Sequence, residues 1–168
     1  IERLRRCQTL DEIVLATTKE PRDDVLQEIA VRMGVPYHRG PEQDVLTRYV
    51  HAAQEQRADV IVRITSDCPL LMPDIVDRAV RALGRQYDLV SNSIERTYPR
   101  GCDVEVAHFD VLHRIHRFAT SQPAREHVLW HAYAEAPSLF RIRHIKDRQD
   151  LSHMNWTLDT AEDLARIR

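Results

Sequence analysis

The sequence has little of what marks a secreted, disulfide-bonded or membrane-spanning protein. Its three cysteines, Cys7, Cys68 and Cys102, are odd in number and lack CxxC spacing, which predicts free thiols in a reducing cytoplasm. No run of about 18 apolar residues occurs, so no membrane-spanning helix is predicted. The first residues also lack the pattern of a signal peptide. We therefore expect a cytoplasmic protein without a membrane anchor.

The sequence also contains few lysines, and its net charge is small. Lys19 and Lys146 are the only lysines, so arginine supplies nearly all of the 24 basic residues, which face 26 acidic ones. The formal net charge of −2 provides no global basic field, and this argues against a nucleic-acid partner. The 168 residues suffice for a substantial core, and we predict a single domain over residues 1–168.

Several motifs of catalysis and cofactor binding are missing. Neither GxGxxG nor GxxxxGK[ST] occurs, which excludes Rossmann and P-loop sites in these residues. Without a GxSxG elbow, no Ser-His-Asp triad can be assigned. The pairs His113/His116 and His127/His131 have the spacing of metal ligands on a helix, but no third zinc ligand can be placed for either pair.

What the sequence does contain is an alternation of short apolar strands and amphipathic helices. Strands are predicted at 11–17, 35–39, 60–64 and 87–91, and helices at 23–33, 44–53 and 73–83. This order predicts an α/β fold, a three-layer α/β/α sandwich with a mostly parallel mixed sheet. Residues 1–7 resemble the last turns of a helix, so a further central strand would precede Ile1.

The second half of the chain departs from this rhythm. The pattern predicts strands at 101–106 and 139–145, helices at 109–119 and 123–133, an extended piece at 156–159 and a final helix at 161–168. Thr160 and Asp163 form a capping box for that final helix. Asp44 is a natural N-cap for the second helix, and its spacing from Arg48 predicts an i,i+4 ion pair.

Asp67 is the first candidate for a metal ligand. It follows the β-branched run 60–64, which predicts a strand buried on both faces, and Pro69 ends regular pairing. Ligands of open α/β sheets bind at the carboxyl ends of strands, where a carboxylate is well placed to hold magnesium. On position alone, Asp67 equally suits a cap for the turn before the next helix.

Further carboxylates follow other predicted strands. Asp159 ends the extended piece 156–159, while Asp103 and Glu105 share one face of strand 101–106. That face suits a cation or the hydroxyls of a sugar, or it simply faces solvent. Carboxylates that converge at one sheet edge are the usual protein share of a magnesium site, which suits phosphoryl or nucleotidyl transfer.

Six segments in a fixed order carry a family resemblance. They are DEIVLAT (11–17), DVLTRY (44–49), RITSDCPL (63–70), YPRGCDVE (98–105), REHV (125–128) and WTLDTAEDL (156–164). Together they resemble the sugar cytidylyltransferases, above all the spore-coat polysaccharide type, with the acylneuraminate and 3-deoxy-manno-octulosonate enzymes as more distant relatives. The resemblance covers essentially the whole chain.

The resemblance implies a fold and a reaction. The fold is of the nucleotide-diphospho-sugar transferase type. The reaction is attack by a sugar hydroxyl on the α-phosphate of CTP, with release of pyrophosphate. Asp67 and Asp159 resemble the catalytic magnesium ligands. Residues expected near the nucleotide are Asp44, Arg48 and Arg63, and those expected near the sugar are Arg100, Gly101, Asp103, Glu105, Glu126 and His127.

The resemblance also implies that the family's first strand and Gly-rich triphosphate loop would lie before Ile1. Without that loop, this span alone is expected to be inactive, and the base that is read cannot be identified. A homodimer is expected from the family, through the region 92–133. The sugar stays open among nonulosonates, octulosonates and amino sugars.

Two alternatives belong to other functional classes. A glycosyltransferase of related fold would use Asp103-x-Glu105 as a metal motif that holds a finished nucleotide sugar. A non-catalytic homologue would bind a sugar or a partner protein.

Overall fold

The computed structural model describes residues 1–168. The strands are β1 (Leu15–Thr18), β2 (Tyr37–Gly40), β3 (Val60–Arg63), β4 (Leu89–Ser91), β5 (Glu105–His108) and β6 (Ile142–His144). The α-helices are α1 (Asp24–Met33), α2 (Val45–Gln56), α3 (Pro73–Leu83), α4 (Phe109–Phe118), α5 (Gln122–Glu126) and α6 (Ala161–Ile167). None of these helices has the length and apolar character needed to cross a bilayer.

The strands form two sheets. Strands β1 and β2 pair in parallel, with Leu15 opposite Tyr37. The second sheet has the order β3-β5-β4-β6, in which β4 runs antiparallel to β5 and parallel to β6. This mixed α/β arrangement confirms the predicted fold class.

The chain contains two compact units, each assembled from separate stretches of sequence. The first unit comprises Ile1–Leu10, Val62–Ala107 and Arg141–Arg168. The second comprises Asp11–Ile61 and His108–Phe140. In the first unit α3 packs against β4, and in the second α2 packs against β1, β2, α4 and α5.

Helix ends follow the local signals in the sequence. Helix α1 ends at Gly34, whose φ of 62° lies in the left-handed region that glycine adopts freely. The Asp44 carboxylate accepts a hydrogen bond from the backbone N–H of Thr47 at 2.9 Å and so caps α2. The predicted capping box of Thr160 and Asp163 is present at the start of α6.

The core of the first unit lies between α3 and its sheet. Helix α3 has the predicted bounds and buries the predicted apolar face. The most deeply buried members of this core are Val76, Ala79, Val90, Cys102, Val104 and Val106. Burying such side chains contributes about 25 cal/mol per Å² of apolar surface, so this core anchors the loops that follow the strands.

Strand β3 is less buried than predicted. It ends at Arg63, and Val60 at its start is 37% exposed while the other three residues are half-buried. The expectation of a strand buried on both faces is therefore wrong. The reason is its edge position, since β5 is its only neighbour in the sheet.

The strand predicted at 101–106 is displaced. Strand β5 begins only at Glu105, because Gly101 has a φ of 91° and the Cys102 N–H bonds to the Pro99 carbonyl at 3.2 Å, which makes a turn. Asp103 thus lies before the strand. The prediction that Asp103 and Glu105 share one strand face is wrong.

The helix predicted at 123–133 is interrupted. Helix α5 ends at Glu126, and a π-helical turn spans His131–Glu135. Between them Val128 has a φ of 56° and is only 1% exposed. A β-branched residue rarely adopts this conformation, so tertiary packing holds it there against its local preference.

Smaller differences affect the chain ends. Leu4–Arg6 forms a single 3₁₀ turn. The strand predicted at 139–145 is shorter than expected, because a second 3₁₀ turn, Pro137–Leu139, includes its first residue and β6 begins only at Ile142. The extended piece near the C-terminus makes one parallel bridge, between Asn155 and Arg100.

A buried carboxylate ties the N-terminal stretch to α3. Asp77 is 3% exposed, and it accepts hydrogen bonds from the backbone N–H groups of Gln8 and Thr9 at 2.9–3.0 Å and from the Thr9 hydroxyl at 2.7 Å. Burial raises the pKa of Asp77, but these donors outweigh it, so the pKa lies below the ordinary value of 3.8. Asp77 is therefore ionised in the folded protein at neutral pH.

Asp77→Asn is expected to lower the free energy of unfolding by about 2 kcal/mol at pH 7, because an amide accepts fewer of these hydrogen bonds and turns its own N–H donors toward them. Since the folded-state pKa is depressed, the ionic contribution is complete above pH 3.8 and is lost as the pH falls through the folded pKa. Urea unfolding of both proteins from pH 7 to pH 3 measures this. The exposed Asp74→Asn serves as the control, and a difference that does not shrink at low pH would contradict the assignment.

Candidate functional site

The turn that contains Asp67 meets the segment that contains Asp159. The backbone N–H of Leu158 donates a hydrogen bond to the carbonyl oxygen of Asp67 at 2.9 Å. Asp67 is half-buried and Asp159 is exposed. The structure thus brings together the two chain segments that carry the predicted magnesium ligands.

Both carboxylates are held in the same way. The Thr65 hydroxyl donates to Oδ1 of Asp67, and the Thr157 hydroxyl donates to Oδ2 of Asp159 at 2.8 Å. Neither aspartate forms an ion pair with a cationic side chain. Each carboxylate is therefore oriented by a threonine two residues earlier and keeps its negative charge uncompensated.

A third segment contacts the stretch that precedes Asp159. The Arg100 N–H donates to the Met154 carbonyl at 3.0 Å, and the Trp156 N–H donates to the Arg100 carbonyl at 2.8 Å. At Gly101 a Cβ would stand 2.6 Å from the carbonyl carbon of Trp156, so only glycine permits the approach. This contact positions the stretch that leads to Asp159.

The thiols beside this site are protonated. Burial raises the pKa of Cys68 to about 12, against the opposing hydrogen bond from Thr65, and burial raises the pKa of Cys102 to about 11. All three cysteines are free, as predicted. A thiol with such a pKa is a poor nucleophile, so Cys68 serves packing.

Asp103 and Glu105, predicted on the sugar side, are each engaged by an arginine. Arg96 forms a two-pronged pair with Asp103, at 2.5 and 2.8 Å, and this hydrogen bonding raises the pKa of Arg96. Arg63 pairs with Glu105 at 2.7 Å, and Glu105 is 3% exposed. The structure therefore gives the two carboxylates different partners and brings Arg63, predicted near the nucleotide, to Glu105.

The remaining predicted site residues lie in the second unit. The Asp44 carboxylate meets Arg125 at 3.5 Å, so the ion pair predicted with Arg48 is made with a different arginine. The Nε atom of Arg48 is buried without a hydrogen-bond partner, and burial lowers the pKa of this guanidinium. Arg48 is thus a buried donor, which fits a binding role as well as a structural one.

Glu126 and His127 lie where α5 ends. Both are exposed, and the His127 ring is 5.7 Å from the ring of Trp130. They directly precede Val128, the residue with positive φ. Backbone strain of this kind often accompanies functional sites, so their position does not conflict with the predicted role.

Three supporting residues were missed by the sequence reasoning. Thr65 and Thr157 orient the two aspartates, and Arg96 neutralises Asp103. The shared spacing Thr-x-Asp was a usable signal for the threonines. No comparable pattern marked Arg96, because its partner follows seven residues later across a turn.

The donor set at Asp67 and Asp159 fits magnesium. Magnesium typically takes one or two carboxylates from the protein and fills its other positions with water and substrate phosphate. The two aspartates supply that number of carboxylates without competing cations. No group of three or more His, Cys, Asp or Glu side chains gathers anywhere in the chain as a metal site.

A protein-family model matches nearly the whole chain. The model described as cytidylyltransferase matches residues 1–166.

Two known proteins are similar in sequence. One is an uncharacterized protein of Methanocaldococcus jannaschii, 35% identical over 166 residues, 97% of this chain and 67% of its own. The other is the spore coat polysaccharide biosynthesis protein SpsF of Bacillus subtilis, 29% identical over 164 residues, 94% of this chain and 66% of its own. The chain thus spans about two thirds of each relative.

Solved structures agree with the predicted fold. A cytidylyltransferase from Leptospira borgpetersenii has a TM-score of 0.91 and 32% identity, with 97% of this chain and 69% of that one covered. A CMP:2-keto-3-deoxy-manno-octonic acid synthetase complexed with CTP has a TM-score of 0.70, with 99% and 83% covered. At 15% identity the second likeness concerns the fold alone.

Proposed function

Because the chain belongs to the cytidylyltransferase family, we propose that it activates a sugar, such as a sugar acid, with CTP for surface polysaccharide synthesis. A sugar hydroxyl oxygen bonds to the α-phosphorus of CTP, and the bond from that phosphorus to the oxygen bridging to the β-phosphate breaks. Pyrophosphate leaves, the hydroxyl proton is released, and CMP-sugar is formed. The name of SpsF supports the pathway class, and the CTP complex of the related fold supports the nucleotide.

The observation that carries this proposal is the contact between the segments that contain Asp67 and Asp159. Two oriented carboxylates without cationic partners lie on segments joined by a backbone hydrogen bond. Such a pair suits Mg²⁺, which when bound would neutralise charge on the triphosphate and on the leaving pyrophosphate. The protein's own contribution is to hold both carboxylates in place through Thr65 and Thr157.

Other residues have supporting roles in this proposal. Arg48 and Asp44 would act on the nucleotide side. Arg100 is exposed, and its guanidinium makes no ion pair, so it suits the carboxylate of a sugar acid. Arg63 and the buried Glu105 would act as an ion pair that fixes β3 to β5.

The glycosyltransferase alternative receives no such support. A metal motif Asp103-x-Glu105 needs two carboxylates that converge on one ion. Arg96 donates hydrogen bonds to both carboxylate oxygens of Asp103, and Arg63 pairs with the buried Glu105. We therefore favour nucleotidyl transfer.

The proposal is tested by pyrophosphate release from the protein expressed from its complete gene, with magnesium, each of the four nucleoside triphosphates and a panel of sugar acids. We expect release with CTP and one class of sugar. No release with any pair, while a nucleotide sugar still raises the melting temperature, would overturn the proposal. Mass spectrometry of the product identifies the sugar at the same time.

A further inference from the structure

A cationic groove lies between helix α3 and the chain around strand β6. Its volume is about 540 Å³, and no predicted site residue lines it. Arg78 and Arg81 line it from α3, and Arg143, His144 and Lys146 line it from the other side. We call this surface the basic groove.

Two of its arginines are held in place by uncharged groups. Arg78 donates from Nη1 to the Tyr98 hydroxyl at 2.6 Å and from Nη2 to the Lys146 carbonyl at 2.9 Å. Arg81 donates from Nη2 to Oε1 of Gln8 at 2.9 Å. These uncharged contacts fix the guanidinium groups without neutralising their charge.

The third arginine has the same property. Arg143 donates from Nη1 to the Ala82 carbonyl at 3.3 Å, and its guanidinium carbon lies 5.4 Å from the centre of the Tyr87 ring. An aromatic face holds a cation without neutralising it as a carboxylate would. Arg143 is therefore also pre-positioned with its charge available.

Four arginines elsewhere in the first unit are paired with carboxylates. Those with a carboxylate partner are Arg63, Arg96, Arg141 and Arg166. Near the basic groove, Glu95 pairs with Lys146 at 2.6 Å and with His144 at 3.6 Å. The ionised carboxylate of Asp77 accepts hydrogen bonds from Gln8 and Thr9, and it also interacts electrostatically with Arg81. The charges of Arg78 and Arg143 thus remain in excess, while Asp77 offsets part of the charge of Arg81.

We propose that the basic groove binds a small polyanion that carries two or more phosphate groups. Guanidinium forks match phosphate oxygens in pairs, and a pre-positioned fork loses little side-chain freedom on binding. The volume lies within the range of roughly 300–1,000 Å³ that small-molecule sites have. The proposal does not depend on nucleotidyl transfer, because it involves neither Asp67 nor Asp159.

The test is calorimetric titration of the full chain with inorganic pyrophosphate in the presence of EDTA, which removes metal-bridged binding to carboxylates. We expect saturable binding with one pyrophosphate per chain, weakened by added salt. Arg81→Gln and Arg143→Gln should each weaken binding about tenfold, the effect of losing one charge-assisted hydrogen bond. Arg78 is left intact because it also holds the buried Tyr98.

The matched control is Arg6→Gln, which removes one exposed positive charge from the same unit outside the groove. It should bind pyrophosphate as the wild type does, and unfolding midpoints show that all variants fold. No binding by the wild type, or equal weakening in all three variants, overturns the proposal. Binding of a glutamate-rich peptide without binding of pyrophosphate overturns it in favour of a protein partner.

A parallel titration with CTP distinguishes the source of the phosphate groups. Loss of CTP binding in Arg81→Gln and Arg143→Gln would support a nucleotide as the occupant. Binding of pyrophosphate alone, with the same losses, would support the free anion. If both bind and neither variant differs from the wild type, the groove is not their site.

Discussion

Asp67→Asn is expected to reduce pyrophosphate release by at least about a hundredfold, because asparagine keeps the shape of the side chain but removes one of the two charges proposed to hold the metal. The hydrogen bond from Thr65 can still form, so the turn should keep its conformation. Initial rates with CTP and the accepted sugar, at saturating magnesium, measure the effect. Asp159→Asn should behave alike, since its carboxylate is held by Thr157 in the same manner.

The double variant separates a shared role from two independent ones. If both carboxylates act on one ion, losing the second should cost little beyond the first, and the two effects should not multiply. The control is Asp59→Asn, which removes an exposed carboxylate at the opposite end of the same strand: Asp59 directly precedes β3, whereas Asp67 follows it. If the rate of Asp67→Asn lies within about threefold of the rate of that control, Asp67 takes no part in the reaction.

The second large effect is expected at Gly101, where alanine should lower the free energy of unfolding by about 3 kcal/mol. Two costs add: a side chain at a φ of 91° is strained, and its Cβ would stand 2.6 Å from backbone of Trp156. Backbone cannot rotate away as a side chain can, so the segments must separate. Thermal unfolding should show a fall in melting temperature of roughly 10 °C.

Gly34→Ala is the matched control for this prediction. Gly34 also has a positive φ, 62°, but a Cβ there meets nothing within 4 Å. This variant reports the conformational cost alone, about 1–2 kcal/mol. Equal destabilisation by both substitutions would show that the approach of Gly101 to Trp156 contributes nothing.

Much of the fold could be predicted because local signals agreed with apolar periodicity. Helix α3 has its predicted bounds, since Pro73 favours a first turn and Gly84 follows the last one. The late start of β5 and the break at Val128 had no local signal. The late start of β5 depends on the packing of Gly101 against Trp156. The break at Val128 places a β-branched residue at a positive φ, which valine rarely adopts.

For the candidate site, the sequence predicted which segments meet better than it predicted side-chain partners. Asp67 and Asp159 follow extended segments, and the rule that ligands bind at strand ends led to the prediction that these segments lie together, which the Leu158–Asp67 hydrogen bond confirms. The pairing of Arg63 with Glu105, 42 residues later, could not be read from spacing. The alternation of side chains along a strand predicted that Asp103 and Glu105 share one face. The turn at Gly101 instead places Asp103 before the strand, where it pairs with Arg96, while Glu105 pairs with Arg63.

The discontinuous make-up of the units has a consequence for biosynthesis. The ribosome releases Val62–Ala107 long before Arg141–Arg168, yet both stretches belong to one unit. The contacts of the Asp67 turn with Leu158 and of Gly101 with Trp156 therefore cannot form until the last part of this span has been synthesised. Until then the surfaces that make these contacts stay exposed. Such late, non-local closure slows folding and exposes apolar surface during synthesis. The nascent chain should thus depend on chaperones more than a protein built from consecutive segments.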